Sequence, residues 1–423
     1  MNIIVIILSI LFVLIITIVI FYISKKNVNK TGVSWIFKRP SIECSNQPLK
    51  EPNNNKIPYN GIPPSKTMLR MSMKPNSSLF KKYRALGMAL SIPDKFSWRD
   101  KGGDMIEKAR NQGNCGGCWA FSIVSVLGDR FAIKNNIKSP HPSVVYLLSQ
   151  CSITDDVCAD IQGCDGGNIL NGIVWLQNPY NGNKIESCWP YSVVQNSLSY
   201  GAQSNNVAPN SLQDPSLSNC CYNCCYPADN TVNSSTPLLS IKLGSIQYFG
   251  ETIDKIQSYT EENINKIISD IQIEILQNGP VTSCFVVLKT FLDYYTKDSL
   301  SVYSNNDVII DIDACEFNDC SNTGYTNEGH AIAITGWGIQ NGVRYWEVRN
   351  SWGEESNNDN GYCKIAFTTF DKIKYSFGID IPIISVTSDN YYGGVVSFTP
   401  NNIDNLDELI KNGIFEKSTI LKV

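Results

Sequence analysis

In the segment RNQGNCGGCWAFSIVSVLGDRFAI, which starts at Arg110, a glycine-rich turn runs into an apolar stretch and Cys118 sits at the junction. Gly113, Gly116 and Gly117 let the backbone bend tightly. Beyond them Phe121, Val124, Val126, Leu127, Phe131 and Ile133 are apolar nearly all round, which predicts a buried helix opening at Cys118. The partial positive charge of a helix N-terminus favours a thiolate, the nucleophilic form of cysteine. Gln112 lies six residues upstream, where it can aim a side-chain amide at the same point as the Cys118 backbone N–H, and two such donors make an oxyanion hole. Taken singly, a cysteine is more often half of a disulfide or a buried thiol, so the surrounding residues must carry the argument. Only two histidines are present, His141 and His330, and any imidazole chemistry must use one of them. His141, between two prolines in SPHPS, reads as a loop residue.

Stepping outward, His330 opens an apolar run, HAIAITGWGI, that predicts a buried strand to Ile339. Asn350 falls in a turn just after a strand at Arg344 to Val348. Further strands are expected at Val281 to Leu288 and at Tyr362 to Phe367. Ile264, Ile267, Ile268, Ile271 and Ile275 recur at helical spacing and stop at Asn278-Gly279-Pro280, which predicts an amphipathic helix with a sharp end.

The run CGGCWAF resembles the nucleophile signature C-G-[SA]-C-[WY] of the papain family of cysteine peptidases, with Gly117 where Ser or Ala is usual. NEGHAIAITGWGI and RYWEVRNSWGEE fit the family's downstream His and Asn, and LLSQC, GCDGG and SCWPY, between Cys118 and His330, match its remaining framework. The resemblance implies an α+β, papain-like two-lobe fold, with a helical lobe, a β-barrel-like lobe and the active site in the cleft between them. It implies that Cys118 is the nucleophile, that His330 takes its proton, and that Asn350 holds the imidazole in the useful tautomer. It further implies that Trp352 shields the His–Asn contact from water and that Cys115 bridges Cys164. By the same resemblance, Gly166 and Gly167 pair with an extended substrate. Within the family the cathepsin B branch is the most similar, through PDKFSWRD and GDRFAI. FGID, ending at Asp380, resembles the branch segment whose acidic residue faces the S2 pocket, which implies that Asp380 accepts a basic P2 side chain. The cysteine-rich insertion lies where that branch has its occluding loop but contains no histidine, so endopeptidase action is expected rather than trimming from the C-terminus.

The remaining sequence bounds these expectations. A length of 423 residues, 43% hydrophobic and 17% charged, excludes a disordered or fibrous chain, and a net charge of −4 gives no basic field for nucleic acid. Ile3 to Ile23 is apolar enough to span a bilayer, about 31 Å as a helix, and predicts an uncleaved transmembrane anchor within residues 1–26. A spacer and pro-segment are expected over 27–91, the peptidase domain over 92–382 and a C-terminal tail over 383–423. Lys25, Lys26 and Lys30 favour a cytosolic flank, whereas fifteen cysteines favour an oxidising compartment, so a lumenal or extracellular catalytic domain is expected. Cys118 and His330 are 212 residues apart, which requires insertions; these are visible at Ser192 to Ser240 and Asn305 to Asn327. The first holds NCCYNCCYP, Cys220 to Cys225, read as disulfide partners, with a zinc site as the alternative. No metal or cofactor is expected; the expected partners are protein or peptide substrates and the membrane. The anchor and the Asn- and Ile-rich usage resemble cathepsin-like proteins of large DNA viruses or AT-rich protists. The competing reading is a catalytically inactive, membrane-tethered binding or structural protein on a peptidase fold.

Overall fold

The computed structural model describes residues 92–113, 115–154, 166–177, 182–183, 185–186, 191, 239–249, 259–306, 308–309, 325–384 and 391–420. The chain divides into units Met1–Ser34 and Trp35–Val423, and every described residue belongs to the second. The expected anchor, the spacer and pro-segment, Cys164, and the Cys220 to Cys225 cluster lie outside the described residues. Among the described residues no helix is long and apolar enough to cross a membrane.

The helices are α1 (Trp98–Lys101), α2 (Cys118–Asn135), α3 (Val144–Thr154), α4 (Ile169–Gln177), α5 (Glu261–Asn278), α6 (Lys289–Lys297) and α7 (Leu406–Lys411). The strands are β1 (Phe96–Ser97), β2 (Gln247–Phe249), β3 (Val281–Leu288), β4 (Val302–Tyr303), β5 (Tyr325–Gln340), β6 (Val343–Arg349), β7 (Tyr362–Ala366), β8 (Ile383–Ile384), β9 (Tyr391–Tyr392) and β10 (Gly394–Ser397). The architecture is α+β: helices α2 to α4 cluster together, and the main sheet runs in the order β2-β10-β3-β5-β6-β7-β4, with β1 paired to β5. β4 runs parallel to β7, and the other pairs are antiparallel.

Helix α2 is central because its sequence leaves it no polar face: every residue from Trp119 to Ile133 is buried. It packs against α3, α4, β3 and β5. Helix α5 shows the complementary pattern, with Ile264, Ile267, Ile268, Ile271 and Ile275 on one buried face and acidic residues in the first turn. Thr260 caps it by accepting from the Asn263 N–H at 3.2 Å, and Gly279, at φ +104°, ends it before Pro280.

Parts of the tail expected over 383–423 pack onto the main sheet and α2. β10 fills the gap between β2 and β3, with Val395 opposite both Phe249 and Ser283. The chain then crosses to the C-terminal end of α2. There Phe415 packs on Phe131 at 5.9 Å between centroids, and Ser418 N–H donates to Asn136 C=O at 3.1 Å. Buried Val395, Val396, Phe398 and Phe415 supply the apolar area that holds this segment down.

Candidate active site

Cys118 is the first residue of α2 and is half-buried, unlike the buried residues that follow it. Gly117 precedes it as the N-cap, and its carbonyl accepts from the Ala120 and Phe121 N–H groups. A Cβ at Gly117 would stand 3.2 Å from Cys115 Sγ and 3.3 Å from Leu148, so glycine relieves a crowded contact where the family signature has Ser or Ala. Cys115 and Cys151 are both disulfide-bonded.

Gln112 is held on every side. Its N–H donates to Ser351 C=O at 2.7 Å, its C=O accepts from Tyr191 Oη at 2.7 Å, and its Oε1 accepts from Ser351 Oγ at 2.5 Å. Nε2 donates one hydrogen to Cys115 C=O at 2.8 Å, which leaves its second hydrogen for another acceptor.

His330 lies on β5 and Asn350 just beyond β6, and the two are buried. His330 Nε2 stands 2.6 Å from Asn350 Oδ1, which also accepts the Ser351 backbone N–H at 2.8 Å. A backbone N–H can only donate, so the amide oxygen faces it. The same oxygen faces the imidazole, and therefore Nε2 carries the proton and Nδ1 the lone pair. Burial pushes the imidazole pKa down to about 4, with the Asn350 hydrogen bond opposing the shift. Trp352 stacks obliquely on His330, 4.8 Å between centroids at 32°, and is braced edge-on by Tyr295 and Phe291.

The two arms of the site are joined one turn past the nucleophile. Ser122 Oγ donates to Ile332 C=O at 2.6 Å. Ser122 follows Cys118 by about 6 Å along the helix, and Ile332 follows His330 by about 7 Å along the strand. A second junction was not anticipated from sequence. Arg349 Nη2 donates to Asp129 Oδ2 and Arg349 Nη1 to Glu107 C=O, both at 2.7 Å, and both side chains of the ion pair are buried. Burial works against the guanidinium charge, but Asp129, Tyr362 and Glu107 together more than offset it and hold the Arg349 pKa above its ordinary value. Removing one partner of such a pair costs about 3–5 kcal/mol. The available signal was Asp129-Arg130 inside an apolar helix, since buried charges must be paired.

Gly166 has φ +117°, a conformation that favours glycine, and Gly167 lies against the Trp119 indole, where a Cβ would come within 2.7 Å. Asp380 corrects an expectation. It is fully buried, and its oxygens accept from Trp346 Nε1, the Thr368 N–H and Oγ1, and the Ile381 N–H at 2.6 to 3.0 Å. With those four donors taken up in the protein interior, it ties together the segments that carry them and does not present a carboxylate to a P2 side chain. Among the described residues no group of three or more His, Cys, Asp or Glu is arranged to hold a metal ion.

Residues 92–376 match the model of the papain family of cysteine proteases. The chain is 29% identical over 284 residues to cathepsin B-like cysteine proteinase 3 of Caenorhabditis elegans, covering 65% of this chain and 61% of the relative. It is 31% identical to that organism's cathepsin B-like cysteine proteinase 4 over 62% of this chain and 65% of the relative. It is 30% identical to the probable cysteine proteinase 024R of Invertebrate iridescent virus 3, over 62% of this chain and 52% of that protein. The chain thus spans less than two thirds of each of these relatives. Among solved structures, a procathepsin B from Trypanosoma congolense aligns over 79% of this chain and 85% of its own at 20% identity, with a TM-score of 0.46. The chain belongs to the papain family of cysteine proteases, with cathepsin B-like proteins among its relatives.

Proposed function

We propose that this chain is a membrane-anchored cysteine endopeptidase acting on protein or peptide substrates, with Cys118 as nucleophile, His330 as base and acid, and Asn350 as the orienting amide. The observation that carries this reading is the 2.6 Å contact between His330 Nε2 and Asn350 Oδ1, which leaves Nδ1 as the basic nitrogen. Nδ1 takes the Cys118 thiol proton, and the thiolate at the α2 N-terminus makes an imidazolium tolerable in a site where burial otherwise favours the neutral ring. The thiolate attacks the scissile carbonyl carbon, and the electron pair moves to oxygen. The second Gln112 Nε2 hydrogen and the Cys118 backbone N–H receive that oxyanion. On collapse the C–N bond breaks, the amine leaves with the Nδ1 proton, and a thioester remains. His330 then takes a proton from water, the hydroxide displaces the sulfur, and the acid departs.

Under this reading Trp352 keeps water from the His330–Asn350 bond, Gly166 and Gly167 line an extended substrate, and Cys115 pairs with Cys164. The apolar run from Ile3 to Ile23 supports the anchor, and the cysteine content supports a lumenal or extracellular catalytic domain. The test is labelling of the full chain by an electrophilic thiol probe under reductant, comparing wild type with Cys118→Ala and His330→Ala. Label in wild type and loss in both variants is expected; equal label in all three overturns the assignment.

A further inference from the structure

One face of α2 forms a polar stripe. At about 100° per residue, Ser122 and Asp129 fall within about 40° of Cys118 around the helix axis. Each of these two polar side chains reaches a different strand of the sheet. Ser122 grips Ile332, two residues beyond His330 on β5, and Asp129 grips Arg349, the last residue of β6 and the neighbour of Asn350. β5 and β6 are paired at that level, with Ala333 opposite Arg349. The helix that begins with Cys118 is therefore pinned separately to the strand of His330 and to the strand of Asn350.

We propose that Asp129 and Arg349 are positioning residues that hold Asn350 Oδ1 on His330 Nε2, an inference that rests on the peptidase reading above. The geometry favours this over simple cohesion of the two halves. Asp129 spends its second oxygen on the Glu107 N–H at 2.8 Å, and Arg349 spends its second terminal nitrogen on the Glu107 carbonyl. The Arg349 fork is thus fixed in two directions by α2 and the segment before it. Asn350 is tied by its backbone N–H to Gly361 C=O, at 3.0 Å, and by its side-chain oxygen, and Tyr295 lies against its side chain. Its backbone is set on one side by Arg349, which ends the strand, and on the other by Ser351, which is bonded to Gln112.

The test uses the full chain carrying Asp129→Asn together with Arg349→Met, which removes both buried charges at similar volume and so avoids an unpaired ion. Urea unfolding verifies the fold. Two readouts follow: kcat and KM on a peptide substrate, and hydrogen exchange of the His330 Nε2 proton in ¹⁵N-histidine spectra, where only two imidazoles contribute. A folded double variant should lose kcat by about tenfold to a hundredfold with KM within about twofold, as expected for a misplaced catalytic group. Its Nε2 proton should exchange faster than in wild type. Arg349→Lys, which keeps the charge but not the fork, should fall between, and serves as the reporter if the double variant does not fold. Wild-type kcat together with a slowly exchanging Nε2 proton in the folded variant overturns the inference. If wild type shows no Cys118-dependent hydrolysis, the peptidase reading fails, while the exchange rate alone still decides whether the pair positions Asn350.

Discussion

The two imidazoles of this chain occupy opposite kinds of surroundings. His330 is 5% exposed, bonded through Nε2 to a neutral amide and covered by Trp352. His141 sits at φ +46° on a surface turn with its side chain 61% exposed, and its Nδ1 is 3.4 Å from Glu107 Oε1. The carboxylate raises the His141 pKa, whereas burial lowers that of His330 to about 4. The same ring is thus shifted toward the charged form in one place and toward the neutral form in the other. A proton acceptor for a thiol needs the second environment, because a ring whose charged form is already favoured by a carboxylate has less tendency to take its proton from the thiol.

The largest effect that sharpens this contrast is on turnover. His330→Ala should lower kcat/KM by about a thousandfold or more, in the range of a lost general base, and His141→Ala should leave it nearly unchanged. Equal losses in steady-state assays of the two variants would erase the distinction.

The contrast should also appear as opposite pH slopes of stability. In a Cys118→Ala background no thiolate supports the imidazolium, and His330 should titrate near 4 against 6.5 unfolded. The unfolded chain then binds the extra proton between those values, so His330 lowers stability as pH falls from 6.5 toward 4, by on the order of 3 kcal/mol. His141 has the reverse sign. Its raised pKa stabilises the fold below 6.5, and that contribution is lost as pH rises through the folded value. It is the smaller effect, because the ring is largely in water and the pair is screened. Urea unfolding at several pH values, repeated in His330→Gln and His141→Gln, separates the two; a slope unchanged by His330→Gln removes the buried-imidazole account.

Much of this arrangement was legible in the sequence, for local reasons. The apolar run after Cys118 forces a buried helix, and the observed α2 opens at the expected residue. The isoleucine spacing that ends at Asn278-Gly279-Pro280 gives α5, and the apolar run from His330 gives the second half of β5. What escaped depends on partners distant in sequence. Ser351 and Gln112 are 239 residues apart, and Arg349 and Asp129 are 220 apart, so no local pattern links them. β10 is four residues long and is identified only by what lies on either side of it. Asp380 shows the converse limit: a sequence does not distinguish a carboxylate facing substrate from one receiving hydrogen bonds in the protein interior.

In the proposed mechanism His330 ionises Cys118. The pH dependence of the alkylation rate at Cys118 tests it most directly, in wild type and in His330→Gln. Wild type should react readily well below pH 8.5, the approximate pKa of an ordinary thiol, and the variant only as pH approaches that value. Superimposable profiles for the two proteins would contradict the account.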